Sequence, residues 1–150
     1  MDRTQAVTLT NMCMVYRENQ ILVLDKADCE WSGITFPGGH VESNESFTAS
    51  VIREVWEETG LHIRSPQLCG IKDWVNGDGS RYMVLFYKTD KFDGVLKSSH
   101  EGKVYWTEIE NLPKQGLSLD FLDMLKVFTD EDLSEFYYYL QDGKWQYEIR

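Results

Sequence analysis

Arg53-Glu54-Val55-Trp56-Glu57-Glu58-Thr59-Gly60-Leu61 is the stretch that says most about this chain. Glu54, Glu57 and Glu58 stand at i, i+3 and i+4, so their carboxylates project from one side of a helix. At about 100° per residue they lie beside a stripe of Phe47, Val51 and Val55, with Ile52 next to it. Like charges at this spacing destabilise an isolated helix by roughly a few tenths of a kcal/mol per pair. A divalent cation relieves that repulsion, and magnesium and manganese are hard ions that take oxygen ligands. Taken alone, a glutamate-rich helix reads more simply as a solvated face paired with Arg53 and distant bases.

The residues upstream favour the cation. The helix is expected over Ser46 to Thr59, with Gly60 at its C-cap. Glu45 lies two helical turns before Arg53, and the two can pair and fix the loop onto the helix. Pro37-Gly38-Gly39 is a turn signal whose glycines free backbone groups for close approach to an ion or phosphate.

Around this centre the pattern is one of short strands. Val7 to Tyr16 and Ile21 to Leu24, joined by polar Arg17-Glu18-Asn19-Gln20, read as an antiparallel hairpin. Lys26 to Gly33 reads as a loop. Strands are expected over Gln67 to Val75, Tyr82 to Lys88 and Lys103 to Ile109, and a helix over Leu119 to Phe128 after the break at Pro113. Glu135 to Leu140 and Trp145 to Ile149 flank an Asp142-Gly143 turn and form a C-terminal hairpin. The fold class is α+β, in layers, and the 150 residues suit a single domain.

Composition narrows the function classes. A net charge of −10 repels polyanions, so nucleic acid is not an expected partner, whereas a small anion held through cations is compatible. No apolar run reaches the ~18 residues of a membrane span, and Met1 to Gln5 lacks an apolar signal segment, so the expected location is the cytoplasm, with no membrane partner. Cys13, Cys29 and Cys69 are odd in number and widely spaced, which fits reduced thiols, with Cys13 in a strand core.

Gly39, Glu45, Arg53, Glu54, Val55, Glu57, Glu58, Gly60 and Leu61 match the box of the Nudix family at every defined position, and the chain resembles the MutT-type members most. The resemblance implies a mixed β-sheet sandwiched between helices (α/β/α). It implies that Glu54, Glu57, Glu58 and the carbonyl of Gly38 hold Mg2+ or Mn2+, and that Glu45 and Arg53 form a structural ion pair. It further implies cleavage of a nucleotide pyrophosphate bond by water. Glu101, in the turn Ser98-Ser99-His100-Glu101-Gly102, is the candidate for an extra metal ligand or base, and Glu54 competes for the role of base. Many MutT-type members carry Lys after the double glycine. This chain has His40 there, either a phosphate contact beside Gly39 or a solvated strand residue.

Base recognition calls for a flat apolar wall with a few polar groups. Trp31, Phe36 and Trp74 are the candidate stacking residues, core packing being the simpler role for Phe36. Asp120 falls where some oxidised-purine hydrolases read the base, and is otherwise a helix cap or surface residue. The resemblance points to a nucleoside triphosphate, 8-oxo-dGTP first, as the small-molecule substrate of a monomer or homodimer. ADP-ribose, a nucleotide sugar, or a non-catalytic ligand-binding role are the alternatives.

Overall fold

The computed structural model describes residues 1–26 and 32–150. Cys29 and Trp31, one of the expected stacking residues, lie outside the described residues. The elements follow in the order β1 (Val7–Arg17), β2 (Gln20–Lys26), β3 (Gly33–Thr35), α1 (Phe47–Thr59), β4 (Leu61–Ile63), β5 (Gln67–Val75), β6 (Arg81–Thr89), β7 (Phe92–Gly94) and β8 (Lys103–Glu108). A 3-10 turn (Ile109–Lys114), α2 (Phe121–Thr129), β9 (Glu135–Gln141) and β10 (Lys144–Ile149) complete them.

The main sheet runs β10-β9-β5-β6-β1-β2-β3, with β8 also paired to β2. It is mixed: β1 lies parallel to β6 and β5 parallel to β9, while the other pairs are antiparallel. The expected strands and both long helices are present, and α1 and α2 cover opposite faces. On one face Val51 and Val55 of α1 meet Cys13, Val15, Leu22 and Leu24. On the other, Phe121, Met124 and Phe128 of α2 meet Met14, Phe86 and Phe136. Each such aromatic or aliphatic side chain contributes about 1.5–3 kcal/mol by leaving water. The C-terminal hairpin turns at Asp142 and Gly143 with φ of 52° and 74°, the positive pair a two-residue hairpin turn requires. No helix among the described residues is long and apolar enough to cross a membrane.

Three departures from the sequence reading shape the site. The first hairpin pairs only at its closed end, Tyr16 with Ile21 and Arg17 with Gln20. Beyond that point β1 and β2 part, and the chain through Pro37 to Val41 takes β1's free edge: Asn11 N–H donates to the Gly39 carbonyl at 2.8 Å and Cys13 N–H to that of Pro37 at 2.9 Å. The turn is thereby wedged into the sheet. Second, β4 and β7 form a small separate ladder that three-residue strands give no periodicity to reveal. Third, Phe47 is not part of the buried stripe of α1; it is 43% exposed. Ser50 takes the inner position instead, accepting from Asn11 Nδ2 at 2.9 Å and donating to the Phe47 carbonyl at 2.7 Å.

Candidate active site

Helix α1 is fixed at both ends by its own sequence. Ser46 caps the N-terminus, its Oγ accepting from Ala49 N–H at 3.0 Å, and Gly60 closes the C-terminus at φ 77°. Between these caps the buried side runs through Ser50, Val51, Val55, Glu58 and Thr59. Glu58 is thus on the buried face itself, not beside it, at 3% exposure.

The wedged turn meets this helix closely. Gly38 N–H donates to Glu58 Oε1 at 3.2 Å, and Gly39 N–H donates to Asn11 Oδ1 at 3.2 Å. At Gly38 glycine is required by space, since a Cβ would stand 2.1 Å from the Asn11 carbonyl oxygen; one on Gly39 would stand 2.4 Å from the Glu54 carboxyl carbon and displace that side chain. Flanked by the bonded carbonyls of Pro37 and Gly39, the Gly38 carbonyl makes no hydrogen bond among the described residues. It is the backbone oxygen the sequence reading singled out.

Arg53 holds the outer side. Its Nε and Nη2 grip both oxygens of Glu45, at 3.0 and 2.6 Å, as the spacing of the two residues led one to expect. The same guanidinium donates to Glu54 at 2.9 Å, to Glu57 at 3.3 Å and to the His40 carbonyl at 3.0 Å. Arg53 hydrogen bonding lowers the Glu45 pKa and raises that of Arg53 itself. Burial pushes the Glu54 carboxyl up, against the pull of Arg53. Glu58 is driven further, to about 8, chiefly by burial, with Lys26 and the Gly38 N–H opposing and Glu54 and Glu101 adding to the rise. Its Oε2 is buried with no hydrogen-bond partner among the described residues.

A buried carboxylate oxygen without a partner and an unbonded carbonyl beside it suit a hard divalent ion. Among the described residues no three acidic, His or Cys side chains already converge on one point. Arg53 holds Glu54 and Glu57, so an ion has to draw them from the guanidinium toward Glu58.

Glu101 sits in the turn before β8, its N–H donating to Ser99 Oγ at 3.2 Å. It is near enough to raise the pKa of both Glu54 and Glu58, and half of its side chain faces solvent. Its Oε1 lies 3.2 Å from the exposed His100.

Next to Gly38 and Gly39 opens a cavity of about 580 Å3 on the α2 face of the sheet. Trp74 lines it, stacked on Tyr82 with centroids 4.5 Å apart, and Tyr138 and Trp145 line it too. Phe36 reaches the cavity but is chiefly core, 2% exposed and edge-on to Phe121 and Phe128.

Two expected substrate contacts fall elsewhere. His40 is exposed and does not line the cavity. Its backbone is tied to Thr10 and Arg53, which leaves its ring outside. Asp120 stands at the start of α2 with φ 58°, makes no side-chain cap and does not line the cavity; its Oδ2 accepts from Tyr138 Oη at 2.7 Å.

Sequence reasoning missed Asn11, Lys26, Lys72 and Tyr138. Asn11 is a buried polar residue in a strand core, a signal that was open to reading. The other three are brought to the cavity only by strand pairing.

The sequence pattern of the NUDIX domain matches residues 8–144. YvcI of Bacillus subtilis, named as an uncharacterized Nudix hydrolase, is 37% identical over 121 residues, 73% of this chain and 75% of that protein. An ADP-ribose pyrophosphatase of Methanocaldococcus jannaschii is 28% identical over 116 residues, 75% of this chain and 68% of its own length. Among solved structures, a MutT protein from Bacillus halodurans superposes with a TM-score of 0.76 at 28% identity, covering 95% of this chain and 97% of that one. With its fold, its glutamate helix and this match, the chain belongs to the Nudix family of hydrolases.

Proposed function

We propose that residues 1–150 act as one catalytic domain that hydrolyses a nucleoside triphosphate to the monophosphate and pyrophosphate. The observation that carries this is the junction of two parts: Glu54 and Glu58 of α1 meet the Gly38–Gly39 turn, and that turn borders a cavity walled by aromatic rings. Glu54, Glu57, Glu58 and the Gly38 carbonyl would hold Mg2+ or Mn2+, with Glu101 as a further ligand or base. When bound, such ions lower the pKa of water and offset charge on the phosphates.

The chain's own residues do the rest. Arg53 ties Glu45 to the helix and keeps the turn in register with the carboxylates. Lys26 lines the cavity and is felt by Glu58, so it is the fixed cation for phosphate in place of His40. Trp74 offers its ring to the base. Glu101, without the guanidinium contact that occupies Glu54, accepts the proton of the attacking water. The preferred base is an oxidised purine, as in 8-oxo-dGTP.

The competing substrate is ADP-ribose, favoured by the activity named for the Methanocaldococcus jannaschii relative. A nucleotide panel in magnesium, with products identified by mass, separates the two. Pyrophosphate from a triphosphate, with 8-oxo-dGTP ahead of dGTP in kcat/KM, is the expected result. A ratio near one defeats the oxidised-purine preference, and cleavage of ADP-ribose alone defeats the triphosphate.

A further inference from the structure

Among the described residues lining the cavity the only formal charges are two lysines, Lys26 on β2 and Lys72 on β5, with β1 and β6 between those strands. Lys26 ends β2, close enough to Glu58 to lower its pKa. Lys72 is on β5, paired to Val84 on β6, which in turn pairs with Thr10 on β1. Thr10 neighbours Asn11, the residue that binds Gly39. Two inter-strand steps, or about 10 Å, therefore separate Lys72 from β1, the strand against which the glycine turn is bonded. That is the reach from the phosphates of a nucleotide to its base.

The surroundings of Lys72 are aromatic. Its Nζ lies 5.2 Å from the Tyr138 ring centre and 5.9 Å from that of Trp74. It makes no hydrogen bond or ion pair among the described residues. Burial pulls its pKa down to about 8, opposed only by the charge of Asp120. Asp120 does not reach it by a salt bridge; that carboxylate is engaged by Tyr138 Oη. A largely desolvated ammonium with three donors and no acceptor is an incomplete site. The rings beside it supply cation–π attraction but take no hydrogen bond from it along the sheet.

We propose that Lys72 selects the base, donating to a carbonyl oxygen on the nucleobase edge, so that keto bases (the guanine, hypoxanthine and uracil types) are taken over their amino counterparts. This rests on the reading of the cavity as a nucleotide site, and it names the residue and the base edge through which that site chooses. An ammonium facing the exocyclic amino group of adenine or cytosine meets a donor with a donor. A keto oxygen at the same place offers two lone pairs. Asp120, acting through Tyr138, is a positioning residue: it holds the ring that fixes the ammonium and adds the one negative charge that keeps Lys72 protonated.

The test is equilibrium binding of monophosphates, which the proposed hydrolysis does not consume. Inosine and adenosine monophosphate differ at C6 only in the exchange of a keto for an amino group, with the attendant proton at N1. Uridine and cytidine monophosphate repeat the comparison on a smaller ring. Quenching of tryptophan fluorescence reports occupancy, since Trp74 and Trp145 line the cavity. Wild type is expected to bind the keto member of each pair about tenfold or more tightly, the worth of one charge-assisted hydrogen bond. Lys72→Met should bring both ratios to within about twofold by weakening the keto member. Lys72→Gln, whose amide both donates and accepts, should do the same if the methionine variant folds poorly. Ratios near one in wild type, ratios unchanged in both variants, or no binding of any of the four overturn the proposal. Retained ratios without cleavage of any triphosphate would sink the triphosphate reading and leave the role of Lys72 standing.

Discussion

The two faces of the sheet meet at the Gly38–Gly39 turn, and they differ in how their chemistry is encoded. On the α1 face the functional groups, Glu101 apart, come from one continuous segment, Pro37 to Gly60. Helical spacing alone puts Glu54, Glu57 and Glu58 within about one turn, and Arg53, itself tied to Glu45, holds the first two. On the α2 face the cavity is assembled from β1, β2, β3, β5, β6, α2, β9 and β10, and apart from the adjacent Thr10 and Asn11 its polar groups come from separate segments of the chain. On the proposed reading the first face serves the phosphates and the second selects what is attached to them. Changes on the α1 face should therefore alter rate, and changes on the α2 face should alter choice.

The largest expected effect on rate belongs to Glu101. General-base catalysis is worth about 10² to 10⁴-fold, and Glu101→Gln should lose activity in that range at saturating magnesium without a change in melting temperature. A loss under about threefold moves the proton to Glu54 and narrows the α1 machinery to the helix itself.

Glu57→Gln and Arg53→Ala split the roles within that face. Glu57 is half-exposed and carries only the weaker Arg53 contact, so its loss should cut turnover by roughly a hundredfold or more while leaving metal-free stability unchanged or higher. Arg53→Ala frees Glu45, Glu54 and Glu57 together and should lower melting temperature by several degrees, for about 1–3 kcal/mol, as well as rate. Equal loss of stability in both variants would erase the division between ligand and brace.

A smaller effect tests Glu58 through pH. Its carboxyl titrates from 4.5 in the unfolded chain to about 8 in the metal-free fold, because burial disfavours the charge. Between those values the folded state binds more protons than the unfolded one, so stability falls as pH rises. Metal-free protein should lose melting temperature steadily from about pH 5 to pH 8 and level off above. Glu58→Gln should flatten that slope, and so should saturating magnesium. A slope unaltered by Glu58→Gln assigns it to other groups.

This same contrast explains what could be read in advance. The box helix, its Ser46 and Gly60 ends and the Glu45–Arg53 pair follow from spacing, because each contact closes within a few turns of chain. The Asp142-Gly143 hairpin follows from its turn residues for the same reason. The parting of β1 from β2 was hidden, since it depends on Pro37 to Val41 competing for β1's edge. Lys72 reads as an ordinary solvated strand lysine until β5 is paired with β6 and β9 and places it under Tyr138. Asp120 was noticed for its position, yet its carboxylate is engaged by Tyr138 and does not line the cavity, a pairing set by the placement of β9.

On the proposed reading the glutamate face, loaded with a divalent ion, serves to cut a triphosphate at the Gly38–Gly39 turn. The most direct test of that reading is pyrophosphate release from a nucleoside triphosphate as magnesium is titrated in and then withdrawn by chelator, with Glu57→Gln run beside wild type. Pyrophosphate and monophosphate in equal amounts, appearing with magnesium, vanishing with chelator and nearly absent in the variant, are the predicted result. Undiminished turnover after complete removal of metal, or orthophosphate released in place of pyrophosphate, would contradict it.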